Sequence, residues 1–283
     1  MAQLQLPDSL VNIDWLQQHL QHDQLIVFDA SWHMPATGRD GFAEWRQERI
    51  PGARFFDFDG KIRDPQSTLP HMLPDEELFT RELRALGLNQ DSSVVIYDSM
   101  GMFSSPRAWW MLRAMGCTRL ALLDGGLPAW KAAGNAVDSG DAEAVYARGN
   151  YSARLDSAQV ADAARVLAAL DDDAVCVMDV RPRARFLGQA EEPRAGLRRG
   201  HMPGAVNLPF AELFEHGLLK PRAEIARMVE PLLGNSSSAI CSCGSGVTAC
   251  ILAFALHLVG KDRVAVYDGS WSEWGLPGEL PVR

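Results

Sequence analysis

Two stretches, Met115–Trp130 (MGCTRLALLDGGLPAW) and Val259–Trp274 (VGKDRVAVYDGSWSEW), align without a gap. Gly116 and Gly260, Asp124 and Asp268, Gly125 and Gly269, and Trp130 and Trp274 all stand 144 positions apart. Farther out, RIPGARFFDF (Arg49–Phe58) parallels HMPGAVNLPF (His201–Phe210), with Pro51 and Pro203 separated by 152 positions. LIVFDAS around Asp29 parallels VCVMDVR around Asp179 at a separation of 150. Matches in one order at drifting separations mark a duplicated unit altered by short insertions. Two domains are expected, 1–150 and 151–283, joined by the polar stretch 136–156, whose Gly, Ser and Asp content suits a linker over the surface.

Within each copy, short β-branched runs alternate with helical patterns. In the first, LIVFD, ARFF, SVVIYD and LALLD read as strands, and DGFAEWRQE, DEELFTRELRALG and PRAWWMLRAMG as helices. Such alternation predicts the α/β class, each domain a mainly parallel sheet with helices on both faces.

Bulk properties narrow the function. With 283 residues and 47% apolar content the chain can build two cores. Asp and Glu outnumber Lys and Arg by 36 to 27, a net charge of −9 that argues against nucleic-acid or anionic-membrane partners. The start, MAQLQLPDSLVNIDW, has neither a basic lead nor an apolar run, and the cytoplasm is the expected compartment. Five cysteines with no C-x-x-C pair and no histidine at zinc spacing argue against a metal.

Of those thiols, Cys243 has the context for chemistry. CGSGVTA (Cys243–Ala249) joins an apolar strand to a helix expected to start near Val247. Two glycines allow several N–H groups to turn inward as a nest for an anion, and the helix adds its positive end. A thiolate at Cys243 is the expected consequence. Cys250, inside the helical run, and Cys117 and Cys176 read as core, while Cys241 reads as core or as a redox partner of Cys243. Counting back from the paired glycines sets Ser99 opposite Cys243, and a one-residue gap would set Asp98 there instead. The first copy has no thiol at this place.

The paired PGA motifs, the paired DGG/DGS segments with their tryptophans, and Cys243-Gly244-Ser245-Gly246-Val247-Thr248-Ala249 together resemble the tandem-domain rhodanese family over nearly the whole chain. The resemblance implies an inactive first repeat, an active second one, and sulfur transfer through a persulfide on Cys243 without a metal or organic cofactor. An uncharged loop, with Gly244 and Ser245 after the cysteine, is similar to the members that take sulfur from 3-mercaptopyruvate; thiosulfate is the alternative donor. Thiols, thioredoxin or cyanide are the implied acceptors. Substrate contacts are implied for Gly244, Ser245, Gly246, Val247 and Thr248, and for Arg185 and Arg194, whose planar forks suit a keto-acid carboxylate. Members often carry His-Ile-Pro-Gly-Ala in the first repeat, with that histidine in a proposed proton relay. Here Arg49 opens the motif and cannot act as a base. Solvent is therefore expected to supply the proton, with Asp40 and Ser245 hydrogen bonding or pairing with Arg49. His201, opening the second motif, is expected to be structural. A phosphatase would need arginine six residues after the cysteine, where Ala249 stands. A purely binding role would instead predict an absent or buried cysteine.

Overall fold

The computed structural model describes residues 3–140 and 145–283; residues 141–144 of the expected linker lie outside the described residues. The chain divides into two compact units, one of Met1–Pro65 and Leu73–Leu155, the other of Gln66–Met72 and Asp156–Arg283.

The first unit runs β1 (Leu10–Val11), α1 (Ile13–His19), β2 (Leu25–Asp29), α2 (Gly41–Gln47), β3 (Arg54–Phe55), α3 (Glu76–Ala85), β4 (Ser93–Tyr97), α4 (Ser105–Ala114), β5 (Leu120–Leu123) and α5 (Gly126–Ala132). Its five strands are all parallel in the order β1-β5-β4-β2-β3. The central strands are buried along their whole length, which explains why they read as continuous apolar runs rather than alternating ones. Helix starts follow side-chain chemistry: Asn12, Asp40 and Asp75 each accept an N–H from the first turn of α1, α2 and α3.

The second unit repeats the pattern with β6 (Val160–Ala161), α6 (Ala163–Ala169), β7 (Val175–Asp179), α7 (Arg183–Phe186), β8 (Val206–Asn207), the hairpin strands β9 (Phe214–Glu215) and β10 (Leu218–Leu219), α8 (Arg222–Leu233), β11 (Ser238–Ser242), α9 (Ala249–Leu258), β12 (Val264–Tyr267) and α10 (Ser270–Trp274). Its main sheet is again parallel, β6-β12-β11-β7-β8. Helix α9 starts at Ala249, two residues later than its apolar pattern suggests, because Val247 and Thr248 complete the loop. It is buried on nearly every side, as its uniformly apolar sequence requires. No helix among the described residues is long and apolar enough to cross a membrane.

The two sheets fix a residue-by-residue correspondence. Asp29 pairs with Tyr97 across β2 and β4, and Asp179 with Ser242 across β7 and β11. Asp29 and Asp179 being equivalent, Tyr97 matches Ser242, and the next residue on each strand, Asp98, matches Cys243. A second contact agrees: Leu127 donates its N–H to Asp98 O, and its equivalent Trp271 donates to Cys243 O, both at 3.0 Å. Of the two alignments the sequence allows, the register selects Asp98 over Ser99, and the extra residue lies within the first loop.

Candidate active site

Cys243 leaves the C-terminal end of β11, the central strand of its sheet, where parallel α/β sheets gather their ligands. Its side chain is buried, and all five cysteines are free thiols. Gly246 takes φ 77°, the left-handed conformation that turns the chain into α9. Ser245 and Val247 are buried; Gly244 and Thr248 are partly exposed.

What such a loop does with its amides is visible in the first unit. There the buried Asp98 carboxylate accepts N–H groups from Met100 (2.8 Å), Ser104 (2.9 Å) and Ser105 (2.8 Å). The first loop is thus a nest already filled by an anion of its own chain. Ser245, Thr248 and Ala249 occupy the equivalent positions around Cys243.

Ser99 is drawn to a different group. Its hydroxyl donates to Glu44 Oε2 at 3.1 Å, and His33 Nε2 bonds the same oxygen at 2.8 Å. The imidazole therefore does not stand between hydroxyl and carboxylate, and the relay geometry of a serine hydrolase is not formed.

Ser270 supports Cys243 and lies outside the expected set. At φ 49° it holds the left-handed backbone that Gly126 (φ 53°) holds at the equivalent place. A Cβ at Gly126 would come within 2.5 Å of Asp98 O, whereas the second unit accommodates a side chain and uses it. Ser270 Oγ donates to Tyr267 O (2.8 Å), accepts the Cys243 N–H (3.1 Å) and lies 4.0 Å from Cys243 Sγ. A non-glycine residue held there stores strain of order 1–3 kcal/mol, which persists only where the surroundings impose it. The signal in the sequence was the glycine-to-serine difference within the otherwise matching DGG and DGS segments.

Arg185 reaches the loop. Its Nη2 would stand 3.2 Å from a Cβ placed on Gly244. Glu192 holds it there through Nε at 3.0 Å and a short contact to Nη2. The other Glu192 oxygen accepts Arg181 Nη1 at 2.8 Å, and Arg181 binds Asp179 through Nε (2.9 Å) and Nη2 (2.6 Å). The Arg181 guanidinium stacks 3.9 Å over the Trp271 ring. Arg194 sits half-buried two residues beyond Glu192.

Other residues fall into structural roles. His201 donates through Nδ1 to Phe186 O (2.8 Å) and stacks on the Phe186 ring. Arg49 does not pair with Asp40. Its Nη1 donates to Trp45 O and Gly140 O, its guanidinium lies 4.5 Å over the Trp45 ring, and its ionic partner is Asp138. Asp40 instead caps α2 by accepting the Ala43 N–H. His71, which the sequence patterns do not flag, is buried with φ 62° in the Gln66–Met72 segment that groups with the second unit. Burial raises the thiols of Cys117 and Cys176 to about 11 and that of Cys241 well above the ordinary value, so all three stay protonated at neutral pH. Cys250 donates to Gly246 O at 3.2 Å, bracing the loop from the helix side.

Fold and site define a tandem sulfur-handling architecture, and comparison with known proteins agrees. The rhodanese-like domain model matches residues 12–133 and again 162–276. A 3-mercaptopyruvate sulfurtransferase of Escherichia coli (strain K12) is 40% identical over 274 residues, 96% of each chain. A protein of Arabidopsis thaliana named thiosulfate/3-mercaptopyruvate sulfurtransferase 1, mitochondrial, is 40% identical over 97% of this chain and 78% of its own. The crystal structure of SseA from Escherichia coli, a 3-mercaptopyruvate sulfotransferase, superposes with a TM-score of 0.83 at 38% identity, covering 94% of this chain and 99% of that one. The chain belongs to the rhodanese-like family, as two tandem domains.

Proposed function

We propose that the protein is a 3-mercaptopyruvate sulfurtransferase whose second repeat, residues 151–283, carries the reaction on Cys243. One observation carries this reading: Cys243 heads a loop whose twin wraps three amides around a carboxylate. A loop of this kind is suited to hold an anion at its head, and a persulfide on Cys243 would be such an anion. The Cys243 thiolate attacks the substrate sulfur and forms an S–S bond. The carbon–sulfur bond breaks, its electron pair stays on the methylene carbon as an enolate, and the proton from the substrate thiol, exchanged through solvent, converts it to pyruvate. The outer sulfur remains on Cys243 as a persulfide until a thiol, a thioredoxin-type protein or cyanide removes it.

Arg185, with Arg194 in the same segment, binds the substrate carboxylate, while Gly244 to Thr248 line the reacting sulfur. Five free thiols suit a reducing compartment, and the cytoplasm is the reading they favour. The relatives' names include both thiosulfate and 3-mercaptopyruvate. The keto acid is preferred because the loop carries no charged side chain to meet a dianion. Intact-mass measurement after incubation with 3-mercaptopyruvate tests the proposal: wild type gains one sulfur, about 32 Da, and Cys243→Ser gains none. A gain that survives in Cys243→Ser, or no gain in wild type, overturns it.

A further inference from the structure

We infer that Arg181 is a positioning residue for the donor site: it touches no substrate, but through Glu192 it holds the Arg185 fork beside Gly244. The inference rests on the proposed sulfur transfer and deepens it. The segment DVRPRARF carries three arginines that divide by burial. Arg183 is 59% exposed and pairs with Glu212, Arg185 is 19% exposed, and Arg181 is 1% exposed. A guanidinium buried that deeply persists only where its charge and its N–H groups are met. Those of Arg181 are met by Asp179 (Nε at 2.9 Å, Nη2 at 2.6 Å), by Gly200 O (Nη2 at 2.9 Å) and by Glu192 Oε1 (Nη1 at 2.8 Å). Its Cζ lies 3.9 Å over the centre of the Trp271 ring. Engaged through three nitrogens and one face, Arg181 fixes Glu192, which is 3% exposed and presents its other oxygen to Nε and Nη2 of Arg185. The outer end of the Arg185 fork then faces Gly244 with N–H groups to spare for a planar carboxylate.

The first unit shows that the fold does not require this arrangement. Two residues beyond Asp29, the equivalent of Asp179, Ser31 stands where Arg181 stands, and Leu127 stands where Trp271 stands. Both units nevertheless close the same five-stranded parallel sheet. The buried guanidinium and the indole beneath it therefore occur together in the unit that places a thiol at the head of its loop. Trp271 also donates its backbone N–H to Cys243 O, so the clamp and the thiol are built on one residue. Without Arg181 and Glu192 behind it, Arg185 would have to be ordered by each arriving substrate, a cost of about two- to tenfold in affinity for one long side chain.

The test measures KM and kcat for 3-mercaptopyruvate in Arg181→Lys, alone and combined with Arg185→Ala. Lysine keeps the charge but cannot hold Asp179, Gly200 O and Glu192 in one plane or lie flat on the indole. The single variant is expected to raise KM about two- to tenfold. Trp271 keeps its own bonds to Cys243 O and Arg198 O, so kcat is expected to change less than about twofold. In the Arg185→Ala background the same substitution is expected to add less than about twofold to KM, because the side chain it positions is gone. Glu192→Gln, nearly isosteric but able to accept from only one of the two guanidiniums, is expected to behave in the same way, and it carries the test if Arg181→Lys does not fold. A KM rise of equal size with and without Arg185, a fall in kcat with KM unmoved, or no change in either constant overturns the inference, as does a wild-type KM in Arg185→Ala itself. Persulfide formation by wild type from 3-mercaptopyruvate, measured alongside, separates this failure from failure of the proposed function.

Discussion

Asp29 is expected to make the stability of the first unit depend on pH. Its equivalent, Asp179, is held by Arg181, but the place of Arg181 is taken in the first unit by Ser31. Asp29 is buried, accepts the Ser31 N–H at 2.9 Å, and has no cationic partner among the described residues. Burial pushes its carboxyl up to about 7 from 3.8, against the hydrogen bonds of Ser31 and Tyr97, with the charge of Asp98 adding a smaller push upward. Below pH 3.8 both folded and unfolded chains hold the proton, and the site costs nothing. Between 3.8 and 7 the unfolded chain releases its proton while the folded chain keeps it, so stability falls as pH rises; above 7 the full penalty is present. A rise of 7 − 3.8, about 3 units at ~1.36 kcal/mol each, bounds the penalty at roughly 4 kcal/mol. Asp29→Asn removes the titration. In urea unfolding followed by tryptophan fluorescence, the variant is expected to gain about 2–4 kcal/mol on wild type between pH 4 and pH 8 in the first unit's transition. A difference between the two proteins that is the same at both pH values would refute the assignment of an uncompensated buried carboxyl.

Asp98→Ala would leave the amides of Met100, Ser104 and Ser105 without their acceptor. At ~1–3 kcal/mol for each buried unsatisfied group, the first unit is expected to lose about 3 kcal/mol or more, with persulfide formation on Cys243 retained; a loss under about 1 kcal/mol in denaturation would show that the loop does not depend on this carboxylate. Arg185→Ala is expected to raise KM for 3-mercaptopyruvate about tenfold or more while leaving release of the outer sulfur to a small thiol nearly unchanged, consistent with losing one charge-assisted contact. Stopped-flow measurement of the two half-reactions separates these, and equal slowing of both would remove Arg185 from substrate binding.

The duplication and the sheet were legible because they are written in local pattern. Apolar runs such as Val94–Tyr97 and Ile240–Cys241, and glycines at matching turns, report burial and backbone conformation directly. The strand-to-helix turn that Cys243 opens was equally plain, since the residue follows a strand and precedes two glycines. Its counterpart was not, because one extra residue in the first loop can be placed at several positions in a sequence, and the pairing of Asp29 with Tyr97 is what fixes it. Ser270 and Glu192 were hidden for a related reason. Ser270 acts on Cys243 from 27 positions away, and Glu192 reaches Arg185 from a loop beyond the end of α7 at Phe186, so no helix or strand pattern links either pair. The pairing of Arg49 with Asp138 rather than Asp40 likewise depends on the linker folding back across the first unit.

Asp98 carries a consequence for how the two halves can change over time. A repeat that neutralises its own donors with a tethered carboxylate has no vacancy for a visiting anion, and its turn is locked into shape whether or not anything is bound. On the proposed function, its sister must keep the same donors open to a sulfur that comes and goes, and so depends on neighbours such as Ser270 for rigidity. Mutations are therefore expected to accumulate unevenly, tolerated around the self-sealed turn wherever the carboxylate stays, and removed around the open one wherever they disturb its occupant.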